Sequence, residues 1–200
     1  MAKRNATVKR KTKETDITVK LGIDGSGKSK IDTGIGLLDH MLELFAFHGL
    51  FDLDIVAKGD LKVDIHHTNE DIGIVLGEAF KKALGDKKGI RRFGDASVPM
   101  EDVVASVTVD ISGRGFFKEI DFSQARSAED KIYCGAYANH FFEAFAKKMG
   151  VNLSIGLVSS NPDLHTNLEP VFKAFGKALD EATQIDPRRK GIPSTKGVID

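Results

Sequence analysis

Tryptophan is absent, tyrosine occurs twice, proline five times, and a single cysteine, Cys134, stands in 200 residues. One cysteine cannot close an intramolecular disulfide. Cys134 also lacks the Cys or His spacing of a zinc site, so a buried structural thiol is expected of it. Charge of neither sign prevails, since 29 Lys+Arg meet 29 Asp+Glu. A protein built to grip nucleic acid or an anionic membrane carries a net basic field, and neither partner is expected here. No apolar run approaches the roughly 18 residues that span a bilayer. Met1 to Lys13 is polar and basic, without the apolar stretch of a secretion leader. The chain therefore reads as cytoplasmic and as one ordinary domain.

What is present is periodicity. Residues 7–23 alternate as a strand does, and Asp24-Gly25-Ser26-Gly27 predicts a hairpin turn before a second extended stretch to Ile31. Leu37, Leu38, Met41, Leu42, Phe45 and Ala46 fall at helical spacing. Strands are predicted at Leu53 to Ala57 and Leu61 to Ile65, then a helix from Thr68 to Leu84 that Gly85-Asp86-Lys87-Lys88-Gly89 ends. The second hundred residues repeat the plan. A strand from Val103 to Ile111 runs into Ser112-Gly113-Arg114-Gly115, and another spans Val151 to Leu157. Asn139-His140-Phe141-Phe142-Glu143 matches Asp39-His40-Met41-Leu42-Glu43 one hundred positions earlier. His165-Thr166-Asn167-Leu168-Glu169 likewise matches His66-His67-Thr68-Asn69-Glu70 at a distance of ninety-nine. Gly77 and Ala79 correspond to Gly176 and Ala178. The expectation is an α+β fold made of two similar halves, 7–95 and 96–190, with mixed or antiparallel sheets packed on helix pairs. Residues 187–200 form a tail.

Five of the six histidines, His40, His66, His67, His140 and His165, fall at repeated positions; His48 has no counterpart and reads as structural. On a helix, His66 and Glu70 share a face, as do His165 and Glu169, and an imidazole with a carboxylate at that spacing can hold one divalent ion. His67 lies about 100° around the helix, suited to a second ion or to one held by a neighbouring copy. Such donors favour Mn²⁺, Fe²⁺ or Zn²⁺ over Mg²⁺ or Ca²⁺. A single His-x-x-x-Glu pair is commonly just a solvated helix start, but two pairs, each preceded by a further helical histidine, point to metal.

Residues 22–29 fit the phosphate-loop pattern G-x-x-x-x-G-K-[ST]. The pattern works only when a helix starts at its lysine, and the following Ser29 to Gly36 has two glycines and no helical period. The hairpin turn is the better reading. Arg91, Arg92, Arg114, Lys173 and Pro187 to Gly197, with its Ser194-Thr195-Lys196-Gly197, could instead gather round a phosphate monoester.

Leu38-Asp39-His40-Met41, Gly59-Asp60-Leu61, His66-His67-Thr68-Asn69-Glu70-Asp71, Gly85-Asp86-Lys87, Ser112-Gly113-Arg114, His140-Phe141-Phe142, Phe172-Lys173-Ala174 and Pro193-Ser194-Thr195-Lys196-Gly197 resemble, in one order, the imidazoleglycerol-phosphate dehydratases. The resemblance runs from Lys11 to the C-terminus. It implies a lyase of histidine biosynthesis, converting imidazole glycerol phosphate to imidazole acetol phosphate through a metal-stabilised imidazolate. It further implies two Mn²⁺ per subunit, held by His40, His66, His67, Glu70, His140, His165 and Glu169. Glu14 takes the acid/base role, and Arg92, Arg114, Lys173, Ser194 and Lys196 take the phosphate. Trimers assembling into a 24-subunit shell, with metal sites between subunits, come with the family. This chain departs from the pattern at Thr166, where the family has a histidine ligand, at Leu44 for a Gln, and at Ser154 for a frequent His. A threonine hydroxyl is a poor ligand for Mn²⁺, so one metal site is expected to be weakened; the alternative reading is a catalytically altered or impaired relative.

Overall fold

The computed structural model describes residues 4–122 and 133–199. Its elements run β1 (Asn5–Lys11), β2 (Thr15–Gly22), β3 (Ser29–Asp32), α1 (Gly36–His48), β4 (Asp52–Gly59) and α2 (His66–Leu84) in the first half. The second half follows with β5 (Phe93–Met100), β6 (Val103–Asp110), β7 (Phe116–Phe117), α3 (Gly135–Met149), β8 (Asn152–Leu157) and α4 (Leu164–Thr183). The two four-stranded sheets share one topology, β1-β2-β4-β3 and β5-β6-β8-β7, each with its last pair parallel and the others antiparallel. The α+β duplication expected from the sequence is thus the architecture.

Strict alternation puts Ile17, Val19 and Leu21 of β2, and Ala105, Val107 and Val109 of β6, on the inner sheet faces. Those faces rest on a helical layer in which α1 packs against α4 and α2 against α3, so that each helix pair joins the two halves. Between the helices Phe45, Phe51, Phe80, Phe141, Phe142, Phe145, Phe172 and Phe175 are fully buried and meet edge-on or offset. Each contributes about 1.5–3 kcal/mol of burial, with edge-to-face contact adding to it. The helices approach closely because Gly77 faces the Phe145 carbonyl and Gly176 the Phe45 carbonyl, where a Cβ would lie only 2.7 and 2.5 Å from the oxygen.

Four expectations need correction. Residues 7–23 form two strands, broken by a tight turn at Lys13 and Glu14 that contains no glycine or proline to announce it. The 24–27 segment closes no hairpin, because β4 occupies the edge of β2 and β3 pairs in parallel with the far side of β4. The loop crosses the end of β4, where Asp52 accepts from the Ser26 and Lys28 amides at 2.8 and 3.2 Å. Strand β3, and not a helix, starts after Lys28, in keeping with the rejection of a phosphate loop. Residues 61–65 form a turn into α2, with Val63 N–H donating to the Asp60 carbonyl at 2.7 Å. Cys134 is half-buried at the start of α3 and not in the core.

Candidate functional site

The duplication sets the geometry. His40 on α1 meets His165 and Glu169 on α4; its twofold counterpart His140 on α3 meets His66, next to Glu70, on α2. Each cluster therefore takes one histidine from the first helix of one half and a His-x-x-x-Glu pair from the second helix of the other.

In the first cluster, His40 Nε2 and His165 Nε2 lie 3.7 and 3.0 Å from Glu169 Oε2. The two rings stack with centroids 5.3 Å apart. All three ligand atoms lie within 4.8 Å of one another, and among the described residues this is the one set of three metal-binding side chains that converges so closely. Lys173 donates to the other Glu169 oxygen at 2.5 Å. Partial burial works against ionisation of Glu169, but the Lys173 and His165 hydrogen bonds outweigh it and hold the carboxyl below its ordinary range.

In the second cluster, His66 Nε2 faces Glu70 at 3.4 Å while its Nδ1 faces His140 Nδ1 at 3.1 Å. Glu70 and His140 thus address opposite edges of one ring. Ile74 stands at the place of Lys173, so no ammonium competes for Glu70 from that position. His67 joins neither group. Its Nδ1 lies 3.1 Å from Asp60 and 4.0 Å from Glu14, and the hydrogen bond to Asp60, ahead of the Glu14 charge, raises its pKa. Thr166, the counterpart of His67, is buried and donates its hydroxyl to Asp163 at 3.2 Å. Leu44 packs against the core and Ser154 lies exposed on β8.

A cavity of about 190 Å³ at the other end of the second sheet is lined by Arg92, Ser112, Arg114, Ser194, Thr195 and Lys196. Four of the five cationic and hydroxyl residues assigned to phosphate come together there. The fifth, Lys173, is on Glu169. Arg92 has φ +76° and all its nitrogens engaged, two with Asp110 at 2.6 and 3.1 Å and the third with the Pro193 carbonyl at 3.0 Å. It ties the tail to β6. Sequence reasoning missed the partners Asp60 and Asp110, whose only signals were a Gly-Asp turn and a strand-end aspartate. A larger concavity on the outer face of the first sheet, lined by Lys20, Lys28, Asp52 and Asp54, lies away from every histidine.

The family model described as imidazoleglycerol-phosphate dehydratase matches residues 33–179. The chain belongs to the imidazoleglycerol-phosphate dehydratase family. It is thereby a hydro-lyase of histidine biosynthesis. Relatives of that name include one from Pelobacter propionicus, 51% identical over 98% of this chain and 99% of its own. Another, from Methanocella arvoryzae, is 54% identical over 98% of this chain and 100% of its own. The crystal structure of the Pyrococcus furiosus dehydratase superposes with a TM-score of 0.80 at 37% identity, covering 96% of this chain and 99% of that one. That from Staphylococcus aureus gives 0.78 at 33%, covering 91% and 99%. Among the described residues no helix is long and apolar enough to cross a membrane.

Proposed function

We propose that the chain dehydrates imidazole glycerol phosphate to imidazole acetol phosphate, with Glu14 moving the proton and the Arg114 pocket holding the phosphate. The observation that carries this reading is the convergence of His40, His165 and Glu169, two imidazoles and a carboxylate, with the repeat setting the same three residue types at His140, His66 and Glu70. Such donors fit manganese, and His67 is the further ligand assigned to it. A divalent ion bound there supplies Lewis-acid stabilisation of negative charge developing on the substrate ring.

The remaining work belongs to the chain. The hydroxyl that leaves is on the carbon next to the ring, and the proton is lost from the carbon beyond it, which adjoins no carbonyl, so that C–H bond is a weak acid and needs a placed base. Glu14, with its side chain 55% exposed, can take that proton on Oε2 and return it to the hydroxyl that leaves as water. Arg114, Ser194 and Lys196, with Arg92 beside them and Lys173 supplied from the copy that holds the ring, anchor the phosphate and so fix the reacting carbon.

Distance supports a homo-oligomer. The anion pocket sits where the Arg92 amide donates to the Ala182 carbonyl at 2.9 Å, near the end of α4, whereas Glu169 is in its second turn. Thirteen residues of helix rise about 20 Å. The substrate is much shorter than that, so ring and phosphate are held by different copies. Trimers building a 24-subunit shell are the assembly we assign.

The test is turnover of imidazole glycerol phosphate by chelated protein, before and after Mn²⁺ is returned. Restored turnover is expected; bound metal without turnover would sink the reading. A second reading, a relative with one weakened metal site, is favoured by Thr166, whose hydroxyl is spent on Asp163. Elemental analysis separates the two. If one site is weak, fewer than two ions per chain are found, and Thr166→His raises the number.

A further inference from the structure

We propose that Asp71 is a positioning residue for Glu14, acting through Arg10 and Thr15 to hold the turn that carries the carboxylate; the inference rests on the acid/base role given to Glu14 above.

Asp71 is on α2 and only 8% exposed. Its Oδ2 accepts from the Thr15 hydroxyl at 2.6 Å and its Oδ1 from Arg10 Nε at 2.8 Å. These bonds clamp both strands of the β1–β2 hairpin to the helix that bears His66, His67 and Glu70. Thr15 is 3% exposed and adjoins Glu14 in the chain. Thr12 completes the turn, its hydroxyl accepting from the Glu14 and Thr15 amides at 3.1 and 3.0 Å. The Glu14 carbonyl in turn accepts from the Asp60 amide at 3.1 Å, beside the aspartate that holds His67. Among the described residues the Glu14 side chain accepts no hydrogen bond, its ionic contact being with His67 at 4.0 Å, so its position is set chiefly by the backbone beneath it.

The second half is an internal control. The strand registers place Val98 at the position of Arg10 and Val103 at that of Thr15, and the helix repeat places Pro170 at that of Asp71. Val103 and Pro170 are buried and Val98 is partly so. At these three positions the second hairpin thus packs on its helix through hydrocarbon, its polar tie to α4 lying elsewhere, where Glu181 accepts from the Asp95 amide at 3.1 Å. A buried carboxylate is costly unless fully satisfied, and the fold demonstrably forms its twin without one. Asp102, which matches Glu14, has its carboxylate tied by Asn161 Nδ2 at 2.9 Å. The polar clamp occurs in the half whose turn carboxylate is left available for chemistry.

Thr15→Val keeps the shape and removes the hydroxyl, Thr15→Ser keeps the hydroxyl, and Asp71→Ala removes the acceptor. In the metal-loaded, assembled protein, Thr15→Val and Asp71→Ala are expected to lower kcat for imidazole glycerol phosphate by about 100-fold, the effect of a misplaced reacting group. KM and metal content stay within about twofold of the parent, and Thr15→Ser restores most of kcat. Amide exchange at residues 12–15 quickens in the two deficient variants and not at 101–103. Should Asp71→Ala fail to fold, the Thr15 pair decides. Unchanged kcat in Thr15→Val, equal loss in Thr15→Ser, or kcat falling only in step with metal content overturns the proposal. A parent protein without turnover refutes instead the acid/base reading beneath it, while the exchange data still report whether Asp71 holds the turn.

Discussion

The hairpin end of the first half carries Glu14, Asp60 and His67; the hairpin end of the second carries Asp102, Ser159 and Thr166 at the same places. At the opposite end the roles reverse. Arg4 and Arg92 occupy equivalent positions before β1 and β5, each clasping a carboxylate, Asp24 or Asp110. Arg4 also donates to the Thr183 carbonyl and lines no anion site with a second arginine, since Ser26 stands where Arg114 does. Arg92 instead reaches the tail and borders the Arg114 cavity. On the function proposed above, one scaffold has been specialised twice, for proton handling in one half and for anion binding in the other. What both halves keep is the His/His/Glu residue set and the glycines of the helix crossings, Gly77 and Gly176.

The strongest challenge to that equivalence is to remove one carboxylate at a time. Glu169 serves His40, His165 and Lys173, whereas Glu70 serves His66. Glu169→Ala is expected to cost on the order of 10³-fold in turnover, more than Glu70→Ala, and to remove the metal from its cluster. Glu70→Ala should lower both metal content and oligomer size. Elemental analysis and sedimentation check these outcomes; equal losses would show that the Lys173 contact adds nothing.

A sharper comparison comes from the helix crossings. Gly77 meets the Phe145 carbonyl and Gly176 the Phe45 carbonyl, positions related by the repeat. Alanine at either must push the partner helix away, at about 1–3 kcal/mol for an overpacked core, with up to about 1 kcal/mol returned as helix propensity. The two single variants should lower the unfolding midpoint by similar amounts. Unequal shifts would mean that the crossings are not twins.

The repeat and the two His-x-x-x-Glu pairs were legible because they depend on local spacing, since His66 and Glu70 share a helix face wherever that helix lies; the histidine that joins each pair from the other half was not. The turn at Glu14 was not, since Lys13 and Glu14 carry no turn residue and the alternation of β1 runs on into β2. Nor was β5, whose Gly94 and Pro99 blur its alternation. The pairing of β3 with β4, the grip of Asp60 on His67 and that of Asp110 on Arg92 arise only from tertiary placement. The same holds for Lys173, which the family resemblance assigns to phosphate and which the fold sets on Glu169.

The smallest expected effect concerns His67, which has a threonine, Thr166, as its counterpart in the second half. The hydrogen bond to Asp60, opposed by slight desolvation and aided by the Glu14 and Asp64 charges, favours the imidazolium of His67. A group whose folded pKa is raised stabilises the fold fully below its ordinary value, near 6.5, and loses that contribution as pH rises through the folded value. Asp60→Asn removes the main cause, so in metal-stripped protein the His67 ring should titrate at a lower pH than in the parent, by NMR. His48, whose pKa burial lowers and which faces Lys173 and Lys177 instead, should titrate unchanged. If both histidines move together, Asp60 shapes the hairpin end as a whole, and the contrast between His67 and Thr166 is one of packing and not of proton affinity.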